Sequence, residues 1–161
     1  GANVTTSGTQ TYTGAVTLSA ATTLTTTNSN VSFGSTIGNS SAQNLTLNTG
    51  SGTVSVTGTV GSVTALGTLT LTQTGGTTFS STVNAATVTL TDTADAANIT
   101  FSGNVTATTF NTATQNGGII NKFNLFTSNQ SIEWISKCYD HSLLIPFLNK
   151  WVEGYSLESI K

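Results

Sequence analysis

The chain has 161 residues, four Lys or Arg against six Asp or Glu, and a net charge of −2. No basic side chain precedes Lys122, so the bulk of the chain has no footprint for phosphates, and nucleic-acid binding is set aside. Low charge does not make a membrane span either: the longest apolar run, Leu143 to Leu148, is broken by Pro146 and falls far short of the roughly 20 residues needed.

Composition divides the chain in two. Residues 1–121 carry only two charged side chains, Asp92 and Asp95, and Thr supplies 35 of the first 120 residues. The remaining charges, both Trp, Cys138, His141 and Pro146 all fall after residue 121. The predicted organisation is a repetitive domain over 1–116 and a C-terminal segment over 117–161, with the break near Gly117-Gly118. One Cys cannot form an intrachain disulfide. The start, Gly1-Ala2-Asn3-Val4, has no Met, basic residue or apolar stretch, so it is not a signal peptide and suggests an internal or processed piece.

From the N-terminus onward, one residue pair recurs. Tyr12 and Val16, Phe33 and Ile37, Val56 and Val60, Phe79 and Val83, and Phe101 and Val105 each stand four apart, and their leading members step by 21, 23, 23 and 22 residues. A second apolar alternation follows each pair: Val16-Thr17-Leu18 with Leu24, then Leu45-Thr46-Leu47, Leu69-Thr70-Leu71 and Val88-Thr89-Leu90. Branched and aromatic residues at period 2 predict short strands, and Gly, Ser and Asn clusters such as Gly38-Asn39-Ser40-Ser41 and Gly75-Gly76 predict corners. A fixed period of about 22 residues predicts an all-β parallel β-helix of about five turns. Phe33, Val56, Phe79 and Phe101 should stack inside it, with Leu24, Leu45, Leu69 and Val88 as a second ladder. An antiparallel sandwich or barrel also needs short strands and Gly-rich turns, but does not require one inward register every 22 residues.

The stretch from Gln10 to Thr25 (QTYTGAVTLSAATTLT), the segment Asn30 to Ile37 (NVSFGSTI) and Thr64 to Leu71 (TALGTLTL) resemble the repeats of filamentous haemagglutinin-type surface proteins and autotransporter passengers. The likeness covers about residues 3–112 and omits the tail. It implies a right-handed coil, secreted by a Gram-negative bacterium and displayed at the cell surface as an adhesin stalk or spacer. Any adhesion is expected through the Thr/Asn-rich outer face, to carbohydrate or to a host or neighbouring cell surface by many weak contacts. The motif specifies architecture and says little about a ligand. The family's secretion-recognition domain and outer-membrane barrel are absent from these residues, so a fragment of such a protein is expected.

The site most open to function is the outward face of the second alternation: Thr46, then Thr68, Thr70 and Thr72, then Thr87, Thr89 and Thr91, preceded by Thr23 and Thr25. In register, these hydroxyls repeat along the axis at the inter-strand spacing of roughly 4.8 Å. Such Thr-X-Thr arrays resemble those of β-helical ice-binding proteins, which gives an alternative reading. Thr also simply suits an exposed strand face, and Asn44 and Asn48 interrupt the array beside Thr46.

No catalytic, cofactor or metal site is expected. Asp92 and Asp95 supply only part of a calcium shell, and a turn explains them. Cys138 and His141 are too few for zinc or a supported nucleophile. A polysaccharide-active enzyme would need acid/base groups that the repeat lacks. The triplets beginning at Asn3, Asn30, Asn44, Asn98 and Asn104 match the N-glycosylation pattern, which composition alone produces in a chain so rich in Asn and Thr.

In the tail, Ile132, Ile135 and Tyr139 lie at helical spacing, and residues 147–153 suggest a second short helix ended at Gly154. The segment is either a cap over the coil's open edge or foreign to the repeat. Nothing before Tyr12 looks like a polar cap, so end-to-end self-association is expected.

Overall fold

The structure is a computed structural model and describes residues 3–91, 97–112, 119–121 and 125–126, with side chains placed for the first two stretches. All belong to one unit, Gly1–Ser131. The two expected tail helices, the boundary at Gly117-Gly118, Asp92, Asp95, Cys138 and His141 lie outside the described residues.

The chain forms short strands in sequence: β1 (Val4–Thr6), β2 (Gln10–Tyr12), β3 (Val16–Leu18), β4 (Thr22–Thr26), β5 (Val31–Phe33), β6 (Ile37–Asn39), β7 (Leu45–Asn48) and β8 (Val54–Val56). They continue as β9 (Leu66–Gln73), β10 (Thr77–Phe79), β11 (Val83–Leu90), β12 (Asn98–Phe101), β13 (Val105–Thr106), β14 (Thr109–Asn111), β15 (Ile119–Asn121) and β16 (Leu125–Phe126). Each pairs in parallel with strands about one period away, so the fold is a β-solenoid of about 5 turns. β1, β4, β7, β9, β11 and β14 build one face, and β2, β5, β8, β10, β12 and β15 a second. On the third face β3 and β6 lead, through bridges at Val60, into the start of β11 and then β13 and β16. β11 turns the corner unbroken, placing Val83 on the third face and Val88 and Leu90 on the first.

The recurring pair is the spine of this coil. Tyr12, Phe33, Val56, Phe79 and Phe101 are register partners in one inward column. Val16, Ile37, Val60, Val83 and Val105 form another. Ring centroids lie 4.9 Å apart for Tyr12 and Phe33 and 5.0 Å for Phe79 and Phe101, near the spacing of neighbouring strands. Offset stacking of this kind adds about 0.5–1.5 kcal/mol to the area that each ring buries. Val56 interrupts the aromatic column and stays fully buried between its neighbours.

The ladder on the first face needs one correction. Leu24 does not stack on Leu45; it pairs with Leu47 and heads the column Leu24, Leu47, Leu71, Leu90. The column through Leu45, Leu69 and Val88 instead begins at Thr22 and ends at Phe110. Two leucines separated by one Thr look alike in sequence, and only the length of the preceding corner sets which of them meets Leu24.

Corners are closed by inward Thr and by left-handed backbone. Thr26 Oγ1 donates to Ser29 O, and Thr49 Oγ1 donates to Gly52 O at 2.6 Å, so both hydroxyls are satisfied while buried. Asn28 and Gly50 adopt φ of 56° and 59° in successive coils. A side chain at Gly50 would collide with the Asn28 carboxamide, so this corner needs glycine for space as well as for backbone.

The first coil carries a partial polar plug where none was expected. Gln10 is buried in the column that later holds Val31, Val54, Thr77 and Ile99. Its Nε2 donates to Val4 O (3.2 Å), Thr6 Oγ1 (3.2 Å) and Thr25 O (2.9 Å), and its Oε1 accepts from the Tyr12 hydroxyl (3.0 Å). Burial pushes the Tyr12 phenol above its ordinary pKa.

Candidate binding face

Inward Leu and Val force their sequence neighbours outward, because successive side chains on a strand leave opposite faces. Thr46, Thr68, Thr70, Thr72, Thr87, Thr89 and Thr91 accordingly lie half-buried on the first face, flanked by buried Leu45, Leu47, Leu69, Leu71, Val88 and Leu90. Register then decides which hydroxyls share a row. Thr23, Thr46, Thr70 and Thr89 are partners across four consecutive coils, a row that ends at Asn111.

The flanking rows are shorter. Thr68, Thr87 and Thr109 align. Thr91 donates its N–H to Leu71 O at 2.9 Å, which sets it beside Thr72. In the second coil a register shift between Leu47 and Asn48 aligns Asn48 with Gln73, so Thr72 has no Thr partner on that side. Thr68, Thr70 and Thr72 therefore face Thr87, Thr89 and Thr91 as a block of three by two, extended by one Thr per coil toward the N-terminus. None of these seven hydroxyls bonds to another described residue, in contrast to the buried hydroxyls of Thr26 and Thr49.

Residues 3–91 and 97–112 contain no Asp, Glu, Lys, Arg or His; the charges nearest to the face in sequence are Asp92, which directly follows Thr91, and Asp95. Among the described residues there is no cluster of His, Cys, Asp or Glu that could hold a metal, and no helix long and apolar enough to cross a membrane.

The residues that sequence reasoning passed over are the corner asparagines. Asn3, Asn28, Asn30 and Asn44 each accept, at Oδ1, a backbone N–H from the following coil: Thr23 (2.9 Å), Ser51 (3.0 Å), Thr53 (2.9 Å) and Thr68 (2.9 Å). Three of them open the Asn-X-Ser/Thr triplets. The triplet thus has a structural cause beyond composition: a corner Asn that ties two coils, an inward apolar residue, then an outward hydroxyl. The signal in sequence was the placement of Asn immediately before the first inward residue of a strand. Replacing Asn44 by Ala leaves the Thr68 N–H without its protein partner at the edge of the Thr block. The expected loss is about 1 kcal/mol, measured as a lower urea midpoint at unchanged slope.

Comparison of the chain with protein-family models, curated proteins and solved structures returns no match.

Proposed function

We propose that the chain is a structural segment of a secreted bacterial surface adhesin, a non-enzymatic β-helical stalk or spacer that adheres weakly through its Thr/Asn-rich face. The observation that carries this reading is the in-register Thr row across four coils of a charge-poor solenoid. A rod whose every coil hydrogen-bonds the next transmits length without hinges. A half-exposed array of hydroxyls that bond to no other described residue suits many weak hydrogen bonds to carbohydrate, where affinity comes from multivalent display. The resemblance of residues 3–112 to haemagglutinin-type repeats supports the same role and an extracellular location.

The test is retention of beads coated with the chain on a glycan array and on cultured cells, against beads carrying Thr70→Lys with Thr89→Lys. Binding by the coated beads that the double variant loses supports the reading; no retention on any glycan or cell sinks it. The Thr68–Thr72 and Thr87–Thr91 block also favours a second reading, a face for ice. Thermal hysteresis abolished by the same variant would select it, whereas ordinary freezing behaviour would dismiss it.

A further inference from the structure

On the third face one coil carries four residues more than the next. Val60 pairs with Val83 and Leu66 with Ala85, so six steps of chain in one coil cover what two steps cover in the following one. The excess lies in residues 61–65, which fold back over β6. Ser62 N–H donates to Ile37 O at 3.3 Å, a carbonyl that already accepts the Gly61 N–H at 2.7 Å. Beneath is Gly38, where a Cβ would stand 2.9 Å from Ser62 Oγ, so the segment lies directly on this glycine. Gly38 is buried in consequence, whereas its register partner Thr17 in the preceding coil is exposed.

Carboxamides from the coils on either side tie its two ends. From the coil after it, Asn84 Nδ2 donates to Gly61 O at 3.3 Å. From the coil before it, Asn39 Nδ2 donates to Ala65 O at 3.4 Å as well as to Ser41 O. Asn39 is 1% exposed and stands in register with buried Leu18, at a position that faces the apolar interior. Its Oδ1 meets no donor among the described residues. An amide only partly satisfied in such a place weakens the packing of its coil, and outside its own corner the one group it holds is Ala65. Between the two ties the Ser62 bond is the only one among the described residues, and Val63 at the tip is 82% exposed.

We infer that residues 62–65 are a strap, anchored at Gly61 and latched over the third face by Asn39, that lifts as a unit while the coils stay stacked. The bonds that join the coils here are Ile37 N–H to Thr59 O, Val60 N–H to Thr82 O and Gly61 N–H to Ile37 O, and none involves residues 62–65. Lifting breaks the Ser62 bond and the Asn39 hold on Ala65, and it uncovers Gly38. Few bonds, little buried apolar surface and an exposed tip are the marks of a segment that opens locally, below the free energy of global unfolding. The third face then has two forms, one with β6 covered and one with its outward surface bare. The inference does not rest on the adhesive reading, which concerns the first face.

Amide hydrogen exchange followed by NMR at low urea concentrations tests it. The Ser62 N–H is expected to be protected and to exchange through an opening that urea leaves unchanged, whereas the Val60 N–H exchanges only through a urea-dependent unfolding. Asn39→Leu releases the latch and should speed Ser62 exchange about tenfold with Val60 unaffected. Deleting residues 62–65 gives this coil the spacing of the next one. In that shortened chain Asn39→Leu should raise the urea midpoint by more than it does in the full chain, because the amide no longer has a strap to hold. An unprotected Ser62 N–H, a Ser62 rate that follows the urea dependence of Val60, or a rate unmoved by Asn39→Leu would each overturn the proposal. Should Asn39→Leu disturb the coil, seen as lost protection at Val60, the shortened chain decides: an equal effect of the substitution in both chains would sever Asn39 from the strap.

Discussion

Phe79→Ala is expected to destabilise the solenoid by about 3–5 kcal/mol, measured by urea unfolding followed through circular dichroism. The ring is 1% exposed, stacks on Phe101 at 5.0 Å and lies in register with Val56 on its other side. Truncation removes the transfer free energy of the ring and leaves a cavity walled by fixed strands, whose hydrogen bonds to both neighbouring coils resist collapse. Because each coil is stabilised mainly by its neighbours, a defect here weakens two interfaces at once. The same change at Tyr12, half-buried in the end coil, should cost less. Equal losses at the two positions would contradict a stack of coils and point to a single shared interior.

Leu69→Lys should be more damaging still, costing above about 4 kcal/mol, enough to unfold a domain of ordinary stability. Leu69 is 0% exposed and is sandwiched between Leu45 and Val88. An ammonium group there would meet no acidic partner among residues 3–91 and 97–112, so its desolvation is uncompensated. Thr70→Lys, one residue later on the outward face, should change stability by only about 0.5 kcal/mol. The contrast between adjacent positions tests the alternation directly, through the difference in their unfolding midpoints. Comparable losses at both would mean that the Thr face is not a surface.

Much of this architecture was legible in the chain because apolar residues have only one place to go. The recurrence of Phe33, Val56, Phe79 and Phe101 with Ile37, Val60, Val83 and Val105 favoured a stacked coil over an antiparallel sandwich, since a stack requires the same inward register at every period and a sandwich does not. The Thr row was legible for the same reason, each member being fixed outward by the Leu or Val beside it.

What the sequence left open concerns threonine and the corners. Thr26, Thr49 and Thr74 are buried while Thr25, Thr46 and Thr70 face outward, although all sit in similar polar surroundings along the chain. A hydroxyl tolerates either side provided it finds an acceptor, and for Thr26 and Thr49 that acceptor is a carbonyl three residues ahead, available only once the corner has closed. Corner length likewise moved Leu24 onto Leu47. The segment 61–65, with Val63 exposed, precedes Leu66, whereas β11 runs from Val83 to Leu90 without a break, so the spacing between faces differs from coil to coil. The order of apolar residues along the sequence thus indicated that the chain coils and which residues fill it. Only the packed structure decided which polar groups lie inside and how the coils register. The first choice needs a closed corner that brings a carbonyl to the hydroxyl, and the second depends on partners 20 to 24 residues away in sequence and adjacent only in space.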